Sequence, residues 1–139
     1  MIESKLSKPR PSRQASIIPY LAGLLLIISC GKPLKIEGFN KTEWQKDKQG
    51  CLGIRQSLAR VLTRNEREIL GGSENDVLEW LGKPDRNELY ERNQKFLIYD
   101  IEPGAGCAGG NKLPETLVIR INATGLCSEI FIQKGFSTR

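Results

Sequence analysis

The chain has 139 residues, of which 21 are Lys or Arg and 16 are Asp or Glu. The first 29 residues hold four of the basic residues and one of the acidic ones, so the other 110 carry 17 against 15, a net charge of only +2. These charges alternate in sign and form no basic stripe, which excludes nucleic acid as the expected partner.

The chain contains no His, and this bears on both catalysis and metal binding. His is the most common general base and the most common zinc ligand. No nucleophile motif, phosphate-binding loop or metal-spaced cluster replaces it. The neighbouring carboxylates Asp100 and Glu102 lie in a strand-like run, where we expect them to be exposed surface charge. The sequence therefore predicts a non-catalytic protein with no metal and no cofactor.

The only long apolar run covers residues 15–29 and follows a leader rich in basic residues. This order is typical of a secretory signal peptide. The run ends in Ile27-Ile28-Ser29-Cys30, which resembles a bacterial lipobox, in which the Cys is diacylated before the signal is cleaved. A transmembrane anchor and a buried core segment are the alternatives. Fifteen residues interrupted by Pro19 fall short of the roughly 20 that span a bilayer, so we favour the lipoprotein.

Lipidation of Cys30 defines the expected organisation of the chain. We predict a signal peptide at residues 1–29, a lipidated tether at residues 30–38 and a single domain at residues 39–134. Gly31 follows the lipidated cysteine, where some bacteria use Asp to retain lipoproteins in the inner membrane. The expected location is therefore the outer membrane, facing the periplasm.

Three cysteines remain for disulfide chemistry. Cys51 and Cys107 lie in turn-like surroundings that contain glycine, whereas Cys127 lies in a strand pattern. An exported domain can keep a disulfide, and three thiols allow three single pairings. We predict a Cys51–Cys107 disulfide with Cys127 free. The alternative is that Cys51 and Cys107 are unrelated free thiols.

Two short helices carry clear end signals. Asn40 as N-cap, with Phe39 and Trp44 as a hydrophobic staple, predicts a helix that stops before Gly50. Ser73 as N-cap predicts another helix that ends at Gly82. Packing must stabilise both, because isolated helices of this length are marginal in water.

A further helix is predicted from Gly53 onward, because its apolar residues recur with helical spacing. Its buried side comprises Ile54, Leu58, Val61 and Leu62. Its solvent side comprises Arg55, Gln56 and Arg60.

After Asp85 the apolar residues alternate with period two, which predicts strands. We expect strands at residues 95–102, 116–122 and 126–133, and residues 89–91 are a candidate for one more. The face expected to meet the helices carries Leu97, Tyr99, Ile101, Leu117, Ile119 and Ile121. The opposite face carries Phe96, Ile98, Val118, Arg120 and Phe131.

Several of these signals occur in the order of a known family. The pattern Gly71-x-Ser73-x-x-Asp76-Val77-x-x-x-Leu81-Gly82-x-Pro84 is followed by the strand from Phe96 to Tyr99. The stretch from Leu117 to Leu126 then contains an Asn-x-x-Gly turn. Over residues 70–133 the chain resembles the BamE family (also called SmpA or OmlA), small lipoproteins of the bacterial outer membrane assembly machinery.

The resemblance implies an α+β fold in which two helices pack on one face of a three-stranded antiparallel β-meander. Domains that inhibit β-lactamases share this architecture. The helical segment 40–70 is longer than the family's usual lead-in, and the chain has no counterpart of the short N-terminal motif through which family members contact lipid and partners. The resemblance therefore transfers a fold and no functional residue.

Two helices cannot cover both faces of such a sheet, and an exposed apolar patch edged by charge is typical of a partner surface. We therefore predict partner binding by Phe96, Ile98, Val118, Arg120 and Phe131. The alternative is that the glycine-rich loop 103–110 and residues 134–139 cover this face. The expected function is a lipid-anchored, non-catalytic scaffold of the cell envelope, linked to outer membrane protein assembly. A periplasmic inhibitor or small-ligand module that uses loop 103–110 is the alternative function.

Overall fold

The structure is a computed structural model and describes residues 33–138. The predicted signal peptide and the lipidation residue Cys30 lie outside these residues. In chain order the elements are α1 (Lys41–Lys46), a 3-10 turn (Lys48–Gly50), α2 (Ile54–Arg64), a second 3-10 turn (Glu66–Glu68), α3 (Glu74–Leu81), β1 (Arg86–Tyr90), β2 (Gln94–Asp100), β3 (Glu115–Ile121) and β4 (Cys127–Lys134).

The four strands form one antiparallel sheet in the order β1-β2-β3-β4. The α+β class and the antiparallel meander are therefore confirmed, but the described residues form three helices and four strands, where two helices and three strands were expected. The added strand is β1, which pairs with β2 through a tight turn at Arg92 and Asn93. Both turn residues have positive φ, 55° and 60°, which is the backbone twist that closely spaced antiparallel strands require.

The end signals of the short helices are confirmed. Asn40 Oδ1 accepts hydrogen bonds from the N–H groups of Thr42 and Glu43, at 3.0 and 3.2 Å. Ser73 and Asp76 form a reciprocal capping box at the start of α3. Within residues 33–138, no helix combines the length and the apolar character needed to cross a membrane.

One face of the sheet packs against the helices and forms the main core. Trp44, Leu62, Val77 and Leu81 from the helices are buried together with the predicted inner-face residues of β2 and β3. The alternation predicted for these strands is thus confirmed. Ile36 is also buried in this core, so packing begins inside the stretch expected to be the tether.

Candidate functional site

The predicted partner surface is a second, small core. Ile98 and Val118 have no exposed surface, and Phe96 is 7% exposed. The expectation that this face is open to solvent is therefore wrong. The cause is Phe136, whose ring lies 5.0 Å from that of Phe96 and 5.7 Å from that of Phe131. The alternative named two covering segments, loop 103–110 and residues 134–139, and Phe136 of the second segment confirms that part of it.

Residues 135–138, here called the C-terminal strap, are held at both sides of the sheet. The Gly135 N–H donates to the Pro114 carbonyl at 3.0 Å, just after the end of β4. On β1, Arg86 Nη1 donates to the Phe136 carbonyl at 3.2 Å. Glu88 Oε2 accepts from the N–H and the hydroxyl of Thr138, each at 2.8 Å. The strap thus crosses the outer face from one edge to the other.

Arg120 is also engaged within the sheet. Its Nε donates to Gln94 Oε1 at 2.8 Å, and its Nη1 pairs with Glu129 Oε2 at 3.0 Å. Its guanidinium lies over the rings of Tyr90 and Phe96, 5.7 and 5.9 Å from their centroids. The structure therefore brings the five predicted partner residues together, but it uses them in packing.

We expect Phe136→Ala to destabilise the protein, because Phe136 packs against the buried cluster of Phe96, Ile98 and Val118. Losing a partly buried aromatic ring should lower the free energy of unfolding by about 1–3 kcal/mol, below the range for fully buried Phe. Urea denaturation measures this change. The exposed Gln133→Ala in β4 is the matched control and should stay within about 0.5 kcal/mol of the wild type. Equal midpoints for both variants would contradict a covering role for the strap.

The Cys51–Cys107 disulfide is confirmed, with a Cα–Cα distance of 5.4 Å. Cys127 is free and buried, and burial raises the pKa of its thiol to about 11. The disulfide attaches the glycine-rich loop 103–110 to the first 3-10 turn. A hydrogen bond of 3.0 Å from the Gly104 N–H to the Gln49 carbonyl reinforces this attachment.

The 3-10 turn and the loop approach each other at backbone distance. Gly50 has φ of 64°, and a Cβ there would lie 2.6 Å from the Glu102 carbonyl oxygen, so only glycine fits. The preceding residue, Gln49, adopts φ 56° and ψ 21°. This left-handed conformation is uncommon for a residue with a side chain, and such outliers concentrate at functional sites. The backbone conformation of Gln49 therefore marks the surrounding groups as a candidate functional site.

A buried arginine, Arg55, lies close to Gln49. Arg55 was expected on the solvent side of α2, but it is only 2% exposed. Its guanidinium lies 5.0 Å from the Trp44 ring and 5.8 Å from the Tyr99 ring. Arg55 Nε donates to the Trp44 carbonyl at 3.0 Å, and Nη1 donates to Asp85 Oδ2 at 2.7 Å and to the Asp100 carbonyl at 3.3 Å. These long-range acceptors explain why the side chain turns inward.

Two aspartates organise the backbone around Arg55: Asp47, which is buried, and Asp85, which is partly buried. Asp85 accepts hydrogen bonds from Arg55 and from the N–H groups of Gln49 and Asp100. Asp47 accepts from the N–H groups of Leu52 and Arg55, at 2.7 and 2.8 Å. Since Gly53 offers no side-chain cap for α2, the Asp47 carboxylate satisfies these donors in its place.

Asp100 is 8% exposed, so the prediction that it is exposed surface charge is wrong, and Glu102 is half-buried. Burial raises the pKa of Asp100, while Arg86 acts in the opposite direction. Arg86 Nη2 lies 3.5 Å from Asp100 Oδ1, an oxygen that is fully buried and accepts no hydrogen bond from the described residues. Burial also raises the pKa of Tyr99, whose hydroxyl donates to the Gly82 carbonyl at 2.9 Å.

Gln49 and Asp85 line two neighbouring cavities. The larger, of about 450 Å³, is lined by Arg55, Lys48 and Lys83 among others. The smaller, of about 240 Å³, lies against loop 103–110. In the described part of the chain, no group of three or more Asp, Glu or Cys residues is arranged to hold a metal ion.

One sequence signal could have identified Arg55. It occupies the first turn of α2, where the positive end of the helix dipole disfavours a cation. A buried acidic partner would resolve this conflict, but nothing local in the sequence names Asp85. The comparisons with known proteins add no further guide: no protein-family model, no curated protein and no solved structure matches the chain.

Proposed function

We propose that this protein is a lipid-anchored, non-catalytic adaptor of the bacterial cell envelope, held at the outer membrane through Cys30 and facing the periplasm. The observation that carries the proposal is the Cys51–Cys107 disulfide. Structural disulfides persist in oxidising compartments and are rare in the cytosol. A disulfide is therefore what export by the basic leader and the apolar run before Cys30 would predict.

The link to outer membrane protein assembly rests on the motif resemblance over residues 70–133. In this proposal α2, α3 and strands β2 to β4 correspond to the two-helix, three-strand core of the BamE family. Helix α1 and strand β1 are then additions to that core. The disulfide fits this division, because it fastens the segment between α1 and α2 to the loop between β2 and β3.

The edge of β1 is the surface that best fits a protein partner, since the C-terminal strap covers the outer face. No other strand of residues 33–138 pairs with the free side of β1. Leu89 in this strand is 81% exposed, and Tyr90 is 42% exposed. An unpaired edge strand can accept an extended segment of a partner through main-chain hydrogen bonds.

The anchoring half of the proposal is tested by processing of the chain. Cys30→Ala should leave an unlipidated, uncleaved precursor, because diacylation requires the thiol. Globomycin, which blocks lipoprotein signal cleavage, should make the wild type accumulate in a larger form on gels. Unchanged cleavage in its presence would contradict the lipid anchor.

The adaptor half is tested by purifying the lipidated protein from detergent-solubilised envelopes. We expect membrane assembly proteins to co-purify with the wild type and to be lost from Leu89→Arg, which places a charge at the free edge. Leu113→Arg, at another exposed leucine, is the matched control and should retain them. Capture of one soluble protein instead would favour the inhibitor alternative.

A further inference from the structure

The larger cavity beside Arg55 is lined by an excess of positive charge. Its wall contains Arg55, Lys48 and Lys83 against the single carboxylate of Asp85, so three cations and one anion give a net charge of +2. Lys48 and Lys83 are exposed, and neither forms an ion pair with another described residue. Both ammonium groups are therefore available to a ligand.

The Asp85 carboxylate already accepts hydrogen bonds from three groups of the protein. Asp85 Oδ1 accepts from the Gln49 N–H at 3.2 Å, and Oδ2 accepts from Arg55 Nη1 at 2.7 Å and from the Asp100 N–H at 2.9 Å. These three donors hold Asp85 in place and reduce the negative charge that it presents to the cavity. The positive charges of Lys48 and Lys83 then dominate the electrostatic field at the opening of the cavity.

One guanidinium nitrogen of Arg55 donates no hydrogen bond to the described residues. Its Nε and Nη1 donate to protein acceptors, whereas Nη2 has no hydrogen-bond acceptor among the described residues. Asp100 Oδ1 is the only fully buried side-chain polar atom in the described chain that lacks a hydrogen bond. Nη2 is therefore not fully buried, and Arg55 is one of the residues that line the cavity.

Contacts within the protein hold the Arg55 side chain in place without a ligand. The Arg55 guanidinium lies 5.0 Å from the Trp44 ring centroid and 5.8 Å from the Tyr99 ring centroid, and the two rings also contact each other, with centroids 5.8 Å apart. The Trp44 indole N–H donates to the Leu81 carbonyl at 3.1 Å, and the Tyr99 hydroxyl donates to the Gly82 carbonyl at 2.9 Å. A guanidinium held in this way presents a donor in a set direction, which lowers the entropy cost of binding.

We propose that this cavity is a binding site for an oxyanion, a carboxylate or phosphate group carried by a small molecule, with Arg55 Nη2 as the fixed donor and Lys48 and Lys83 as mobile counter-charges. Its volume of about 450 Å³ lies in the range of small-molecule sites. Guanidinium and ammonium groups are the usual protein partners of both oxyanions. The site does not depend on the adaptor role, and neither requires the other.

The test uses the exported protein with its disulfide intact and two probes, inorganic phosphate and succinate. Each is titrated at constant ionic strength against sodium chloride while NMR follows the Trp44 indole N–H and the Arg55 Nε–H. We expect saturable shifts at both groups, with a dissociation constant at or below about 1 mM for at least one probe. Saturation by phosphate alone identifies a phosphate site, and saturation by succinate extends it to carboxylates. Linear shifts that match those of chloride would overturn the proposal.

A variant pair separates the site from general electrostatics. Lys48→Gln with Lys83→Gln removes two exposed charges and should weaken binding at least about tenfold, equivalent to 1.4 kcal/mol. Lys46→Gln, at an exposed lysine that does not line the cavity, should leave the affinity unchanged. Unchanged amide spectra away from the cavity would verify folding. Equal affinities for the double variant and the wild type would show that the lysines bind nothing there and would overturn the proposal.

Discussion

Arg55→Met should lower the free energy of unfolding by about 3–5 kcal/mol, the range typical of removing one partner from a buried ion pair. The substitution leaves the Asp85 carboxylate without its cation. This is costly because only 10% of the Asp85 side chain is exposed to water. It also leaves the carbonyls of Trp44 and Asp100 without the donors that Arg55 supplies. Urea denaturation followed by tryptophan fluorescence measures the loss, since the Trp44 ring lies 5.0 Å from the Arg55 guanidinium.

A double substitution distinguishes two causes of this loss in stability. One is the missing attraction between Arg55 and Asp85, and the other is the cost of leaving the Asp85 carboxylate without a cation. Arg55→Met combined with Asp85→Leu should recover part of the loss, because replacing both members of a buried pair leaves no uncompensated carboxylate. Recovery should be incomplete, since Asp85 also accepts from the N–H groups of Gln49 and Asp100.

Arg60→Met is the matched control in the same helix. Arg60 is 52% exposed at its side chain and pairs with Glu115 at 3.7 Å, so its loss should cost less than about 1 kcal/mol. If Arg55→Met costs no more than Arg60→Met, the buried cluster contributes little to stability.

The features that the sequence predicted depend on short-range chemistry. Asn40 and Ser73 cap helices through N–H groups two or three residues away. The alternation in β2 and β3 sorts side chains between two faces because neighbouring residues of a strand point in opposite directions. The disulfide was found because turns leave Cys51 and Cys107 free to meet. Each of these inferences used only the residues next to each site, although the disulfide itself joins residues 56 positions apart.

The features that it missed depend on contacts between distant parts of the chain. Helical periodicity placed Arg55 on the polar face of α2, whereas its three acceptors lie outside this helix, 11, 30 and 45 residues away in sequence. Alternation assigned Ile98 and Val118 to the outer face correctly, but it carries no information on what covers that face. The cover is Phe136 in the four-residue strap, which shows no period and follows the last predicted strand.

Removing the disulfide should produce a loss of similar size through a different mechanism. Cys51 and Cys107 are 56 residues apart, and a crosslink that closes a loop of this length restricts the unfolded chain by about 4 kcal/mol in the chain-entropy estimate. Small domains are stable by only about 5–15 kcal/mol, so Cys51→Ser with Cys107→Ser should shift the urea midpoint strongly. The Gly104–Gln49 hydrogen bond should also weaken, because the disulfide holds the loop against the turn.

The matched control needs no further substitution. A reductant should move the wild type to the midpoint of the double variant, and it should leave the double variant itself unchanged, because Cys127 is already a free thiol. Coincident midpoints for the reduced wild type and the variant would attribute the whole effect to the crosslink and exclude an effect of the serine side chains. If the double variant instead unfolds at the same urea concentration as the oxidised wild type, the disulfide does not stabilise the fold, and its role must lie in shaping loop 103–110 beside the cavities.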